Sequence, residues 1–237
     1  AIEASHFDPT AVPFARRASL ETQANASVAA TQYPDSIDAT LQPTPSTQRR
    51  TTVTLPVGSE VLAPGYRPFE VSAAGQLPTG FDPGAIYPSR NHPRGLQMSI
   101  FAMSDALADL GLSWQALTEQ VSPEAISVYM GSSMGQLDEA GTGGMMQARA
   151  LGKKVSSKQC PLGFAEMPGD FLNAYVLQSM GQTGPALGAC ATFLYNLQRG
   201  VQDIRAGRAL IAVVGAAEAP VQAEIMEGYI AMGALAT

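Results

Sequence analysis

At 237 residues, 46% hydrophobic and 14% charged, the chain can bury one large core or two small ones. Its net charge of −6 argues against general nucleic-acid binding, and no apolar run approaches the roughly 20 residues that cross a bilayer. Cys160 and Cys190 stand far apart with no CxxC or histidine companion, so neither a disulfide framework nor a zinc site is supported and a reducing cytoplasm is expected. The chain opens without Met and closes on Gly233-Ala234-Leu235-Ala236-Thr237 with no evident cap, as a piece of a longer protein would.

Residues 1 to about 50 are rich in Ala, Ser, Thr, Gln and Pro without a sustained period, and read as loop or mobile arm. The exception is a short helix around Phe14 to Leu20. Thr51 to Val61 and Tyr66 to Ser72 hold β-branched and aromatic residues broken by Pro56, Gly58, Pro64, Gly65 and Pro68, which predicts short edge strands. Turn formers crowd Gly75 to Pro93 densely enough for a long structured loop.

The character changes at Gly95, where we place the start of a second domain (95–237) after an N-terminal extension (1–94). Leu96, Ile100, Met103, Leu107 and Leu110 repeat at helical steps, and Gly111 is placed to end the helix. Ser113 to Thr118 adds a short turn. Ala125 to Met130 reads as a buried strand running into the glycine-bounded loop Gly131-Ser132-Ser133-Met134-Gly135. After a flexible Gly141 to Gly144 comes a basic group, Arg149, Lys153, Lys154 and Lys158, whose ordinary reading is a solvated face. A helix is expected over Asp170 to Met180, with Asp170 as its N-cap.

Gly184-Pro185 then opens a run of small and apolar residues that reaches Cys190. From there Cys190, Phe193, Leu194, Leu197, Val201 and Ile204 fall on one helix face, which puts Cys190 where a strand hands over to a helix. The positive end of a helix favours a thiolate nucleophile, and Gly188, Ala189 and Ala191 are small enough for a sharp turn that exposes the sulfur. Gly207 ends this helix, and Ala209 to Gly215 is a second buried strand. The alternation of helix and strand predicts an α/β layered fold.

Several of these stretches resemble the β-ketoacyl-ACP synthases (3-oxoacyl-ACP synthases). Gly184-Pro185, Ala189-Cys190-Ala191-Thr192, Gln202 to Ala209 and Val213 to Ala219 follow that family's order of a GP turn, an acyl-accepting Cys with its helix, an IR-x-G-x-A-D-type turn and a G-G-x-E-A strand. Gly131 to Gly135 is similar to the GSGIGG loop, and Ala234-Leu235-Ala236-Thr237 to the ALST segment. The N-terminal insertion and Gln76 to Phe81 are most similar to the FabY-type branch, which is associated with starting fatty-acid synthesis from acetyl-CoA and malonyl-ACP.

The resemblance implies a thiolase-like αβαβα sandwich, of which this chain carries the first half of a duplicated fold, usually in a cytoplasmic homodimer that pairs through Pro185 to Ala189. It implies Cys190 as the residue acylated from a thioester, with its own backbone N–H as half of an oxyanion hole, and no metal or redox cofactor. Met134 and Tyr229 match acyl-pocket positions, and Phe193, three residues after the Cys, would shorten that pocket. Lys153 and Lys154 match a position that contacts acyl carrier protein, with Arg149, Arg90 and Arg94 as companions. The family's catalytic histidines follow the ALST segment, and neither His6 nor His92 matches one. Cys160 reads as structural. Two other readings remain: a thiolase-fold acyltransferase without decarboxylation, and a dimerising or carrier-docking module without turnover of its own.

Overall fold

The computed structural model describes residues 7–29, 39–40, 50–87, 92–149 and 151–235. The chain divides at Ala73–Ala74 into two compact units, ahead of the expected boundary after residue 94.

The first unit is built of strands. β1 (Val12–Ser19) runs antiparallel to β5 (Glu60–Arg67), with Val12 opposite Arg67 and Ser19 opposite Glu60. β2 (Ala24–Ala29) and β3 (Ala39–Thr40) both pair antiparallel with β4 (Arg50–Leu55). The loop or mobile arm expected before residue 50 is therefore partly sheet, and the helix expected around Phe14 to Leu20 is strand β1. Cross-strand contacts decide this. The Phe14 ring lies across Gly65, where a Cβ would stand 2.7 Å from it, and the Arg67 guanidinium sits 5.6 Å from the ring centroid. A helix of under two turns has no comparable stabilisation of its own. Pro64 is tolerated in β5 because that strand pairs on one side only.

The second unit, Ala74–Ala234, alternates helix and strand. In order come α1 (Arg94–Asp109), α2 (Trp114–Thr118), β6 (Ile126–Tyr129), α3 (Thr142–Gln147), α4 (Gln159–Leu162), α5 (Met167–Phe171), α6 (Thr192–Arg205), β7 (Ile211–Val214) and α7 (Ala223–Ala231). β6 and β7 are parallel, with Ile126 opposite Ile211 and Tyr129 opposite Val214. Leu96, Ile100 and Met103 of α1 are buried together with Val128, Met130, Phe171, Leu172 and Leu177, and Leu107 packs against them, so the helical spacing marked the core face up to Leu110, which is exposed. The glycine- and proline-rich loop belongs to this unit: Phe81 packs edge-on to Phe101 at 5.3 Å and Tyr87 edge-on to Phe171 at 5.7 Å.

The helix expected at Asp170 to Met180 begins earlier, at Met167, and widens into a π turn over Leu172–Leu177 before Gln178 turns left-handed at φ 53°. Asp170 is thus inside the helix and not its cap. Gly169 explains the early start, because a Cβ there would stand 2.5 Å from the Met130 carbonyl oxygen; only glycine lets this turn lie against the end of β6. No helix among the described residues is long and apolar enough to cross a membrane.

Candidate active site

Helix α6 faces the opposite way from its apolar pattern. Phe193, Leu194, Leu197, Val201 and Ile204 are exposed, while Thr192, Asn196, Gly200 and Asp203 are buried against the strands. Each buried residue has a reason to face inward. Asn196, fully buried, accepts the Ala186 N–H at 2.7 Å and donates to the Gly215 carbonyl at 2.8 Å, so it ties the approach to Cys190 to the end of β7. At Gly200 a Cβ would meet Val214 Cγ1 at 2.7 Å, so only glycine lets helix and strand approach this closely. Asp203 accepts the Tyr129 hydroxyl and, through Oδ1, both Nε and Nη2 of Arg208 at 2.8 and 2.6 Å. The Tyr129 bond, opposed by burial and aided by Arg208, holds the Asp203 carboxyl below its ordinary range. Burial and the Asp203 hydrogen bond push the Tyr129 phenol up.

Cys190 is exposed and lies in a 3-10 turn, Ala189–Ala191, that leads directly into α6. The strand expected to deliver it is reduced among the described residues to a single parallel bridge between Thr183 and Val128; Gly184 to Gly188 run on without strand pairing. The turn depends on Ala189, which adopts φ 49°, and on Gly188, whose missing side chain leaves room for the Tyr195 ring. Thr192, 1% exposed, accepts the Gly188 N–H at 3.0 Å and donates to the Ala189 carbonyl at 2.8 Å. Its hydroxyl also lies 2.6 Å from that of Ser133. The Gly131–Gly135 loop is in turn held by Glu218, which accepts the Ser133 N–H and, at 3.1 Å, the Ser132 hydroxyl.

Tyr229 belongs to the same neighbourhood: burial first, then the Glu218 charge and then Cys190, push its phenol up. Met134 is exposed at the tip of the turn closed by the Gly135 N–H on the Ser132 carbonyl at 3.2 Å. Phe193 follows on α6. It lines an apolar cavity of about 560 Å³ with Met103, Trp114, Met130 and Leu172, on the α1 side of β7.

Lys153, Lys154 and Arg149 are exposed, and Lys153 Nζ pairs with Glu139 at 2.6 Å. Arg94 does not stand with them: it is buried at the start of α1, its guanidinium donating to the Gly75 carbonyl, which removes it from any docking face. Arg90 and His6 lie outside the described residues. His92 is buried edge-on to Phe171, and burial holds its imidazole below the ordinary value; Cys160 is exposed in α4, remote in sequence from the elbow.

Sequence reasoning placed Ser132, Ser133, Thr192 and Glu218 inside matched stretches without giving them a role, and passed over Asn196. The available signal was polarity at i and i+4, Thr192 and Asn196, on the helix face opposite the apolar stripe.

Residues 79–237 match the sequence pattern of the β-ketoacyl synthase N-terminal domain. Over its whole length the chain is 48% identical to the β-ketoacyl-[acyl-carrier-protein] synthase FabY of Pseudomonas aeruginosa, of which it covers 38%. The chain belongs to the β-ketoacyl synthase family. Its fold is accordingly thiolase-like, and the crystal structure of the ketosynthase FabY from P. aeruginosa superposes on it with a TM-score of 0.84 at 45% identity, over all of this chain and 38% of that one. More distant synthases align as well: fatty acid synthase 2 of Mycosarcoma maydis is 28% identical over 76% of this chain and 5% of its own length. The fatty acid synthase subunit alpha of Gibberella zeae is 30% identical over 69% of this chain and 10% of its own. This synthase-family chain thus spans well under half the length of the curated relatives it matches.

Proposed function

We propose that this chain is the nucleophile-bearing part of a 3-oxoacyl-ACP synthase of fatty-acid biosynthesis. The observation that carries the reading is the exposed Cys190 in the turn that leads into α6, where Ala189 is left-handed and Thr192 bonds both Gly188 and Ala189. The Cys190 thiolate attacks the carbonyl of a thioester, acetyl-CoA as primer, and the developing oxyanion is met by the Cys190 N–H. The CoA thiolate leaves and an acyl-enzyme remains. In the full-length enzyme malonyl-ACP then loses CO₂, and its carbanion attacks the acyl-Cys carbonyl to release 3-oxoacyl-ACP and regenerate the thiolate. We assign that second step to the histidine pair the family carries after its ALST segment. The exposed apolar stripe of α6 is the face on which the second half of the duplicated fold packs, and residues 185–189 pair across a homodimer axis.

Lys153, Lys154 and Arg149 serve as the docking patch for the acidic carrier protein. Reversal of Lys153 and Lys154 to Glu raises KM for the carrier-bound substrate about tenfold and spares reaction with a small thioester; equal effects on both would remove the docking assignment.

The primary test is intact-protein mass spectrometry after incubation with acetyl-CoA. An acetyl adduct on the chain, lost in Cys190→Ala, supports the reading. An adduct that persists in that variant, or none on either the chain or the full-length protein, sinks it.

A further inference from the structure

The Thr192 hydroxyl is the point at which three segments meet. It has one proton, and the 2.8 Å bond to the Ala189 carbonyl uses it. The Thr192 oxygen also accepts the Gly188 N–H at 3.0 Å, and the Ser133 hydroxyl, 2.6 Å from it, lies 3.4 Å from the Ala189 carbonyl as well. Ser133 is fixed independently, since its backbone N–H goes to Glu218 Oε1 while Oε2 of the same carboxylate accepts from Ser132. The result is a continuous path from Glu218 through Ser133 and Thr192 to the two residues that precede Cys190.

What that path holds is an unfavourable backbone. Ala189 lies at φ 49°, a conformation an L side chain adopts about tenfold less readily than glycine does. A threonine at an N-cap accepts from the N–H groups of the next turn, but here Ala191 holds the N-cap position. Thr192 instead reaches backward, onto Gly188 and Ala189, and at 1% exposure no solvent stands ready to replace it. Its bonds thus serve the elbow more than the helix.

We propose that Thr192 is a positioning residue for Cys190, with Ser133 and Glu218 holding Thr192 in place: the three keep Ala189 left-handed, and this turns the Cys190 sulfur outward for attack. The proposal rests on the reading of Cys190 as the acyl acceptor, and it adds residues that act through the backbone without touching substrate.

The test compares alkylation of Cys190 by iodoacetamide with that of Cys160, which is also exposed and serves as a reference in the same molecule. Rates are read by peptide mass spectrometry on the full chain, alongside the melting temperature. Thr192→Val, which keeps the shape and loses the hydroxyl, should lower the Cys190-to-Cys160 ratio about tenfold, while Thr192→Ser stays within about twofold of the parent. Adding Ala189→Gly to Thr192→Val should recover about fivefold, because glycine holds the left-handed turn without help. An unchanged ratio in a folded Thr192→Val, an equal loss in Thr192→Ser, or no recovery with Ala189→Gly overturns the proposal. Should Thr192→Val fail to fold, Ser133→Ala removes the hydroxyl that bonds Thr192 and also reaches the Ala189 carbonyl; a fall of about threefold supports the path and an unchanged ratio overturns it. Iodoacetamide needs no thioester recognition. Altered ratios without any acetyl adduct therefore reject the acyl-transfer reading alone, and an acetyl adduct with unaltered ratios rejects the positioning role alone.

Discussion

The inverted packing of α6 can be tested by comparing Asn196→Ala with Leu194→Ala. By the apolar pattern alone Leu194 is core and Asn196 is surface, so the leucine truncation should cost about 2–5 kcal/mol and the asparagine one nothing. The structure gives the opposite order. Asn196→Ala removes bonds to the Ala186 N–H and the Gly215 carbonyl, both half-buried, at about 1–1.5 kcal/mol each. Alanine's better helix propensity returns about 0.6 kcal/mol, which leaves a net loss of about 2 kcal/mol. Leu194 is 62% exposed, and its truncation should stay within about 0.5 kcal/mol. Urea unfolding followed by tryptophan fluorescence reads the right unit, because Trp114 is the chain's one tryptophan and packs in the second unit with its indole N–H on the Leu177 carbonyl. A larger midpoint shift for Leu194→Ala than for Asn196→Ala would refute the orientation of α6. The same pair in the full-length protein separates stripe from clamp: if the stripe is covered there, Leu194→Ala becomes costly by about 2 kcal/mol or more while the Asn196→Ala cost is unchanged.

Two further outcomes follow from the same helix. Gly200→Val drives side-chain atoms into Val214 and Ala212, and overpacking of about 1–3 kcal/mol outweighs the gain from leaving glycine, so the melting temperature should fall; a rise would mean that helix and strand are less tightly apposed than the structure has them. Asp203→Asn gives up the charge on the bonds to Tyr129 and Arg208 and should cost about 2 kcal/mol at pH 7, toward the low side for a buried pair because the Arg208 side chain is half exposed and rehydrates. The Asp203 carboxyl titrates below its ordinary value in the folded chain, so its stabilisation is complete above the unfolded carboxylate value of about 4 and drains as pH falls through the lower folded value. Thermal unfolding against pH should therefore show parent and Asp203→Asn converging below about pH 4, and a constant gap down to pH 2 would disprove that titration.

Legibility in the sequence followed the range of the interactions. The core face of α1, the existence of strands β6 and β7, and the position of Cys190 at a helix start were readable because local period and glycine punctuation carry them, although β7 is half-exposed where a buried strand was expected. Strand β1 was not, since the Phe14 ring packs against Gly65 of a strand many residues later, and no window around Phe14 contains that contact. The early start of α5 depends likewise on Gly169 beneath the Met130 carbonyl.

The reading of α6 went astray for a different reason, and that reason bears on function. Hydrophobic spacing identifies the face that a helix buries somewhere, without saying against what. Within this chain the inward face must clamp Gly188, Ala189, Ala186 and Gly215, which calls for donors and acceptors, so Thr192 and Asn196 occupy it. Gly200 and Asp203 then bring the same face against β7 and β6. The apolar stripe is left for another surface: Leu197, Val201 and Ile204 line a groove with Ala212 and Val214 of β7. An exposed stripe of this length on α6 is costly to leave in water. It is accounted for if the elbow is built from one side by the polar clamps seen here and covered from the other by the second half of the fold, so that Cys190, our proposed acyl acceptor, lies at the seam between them.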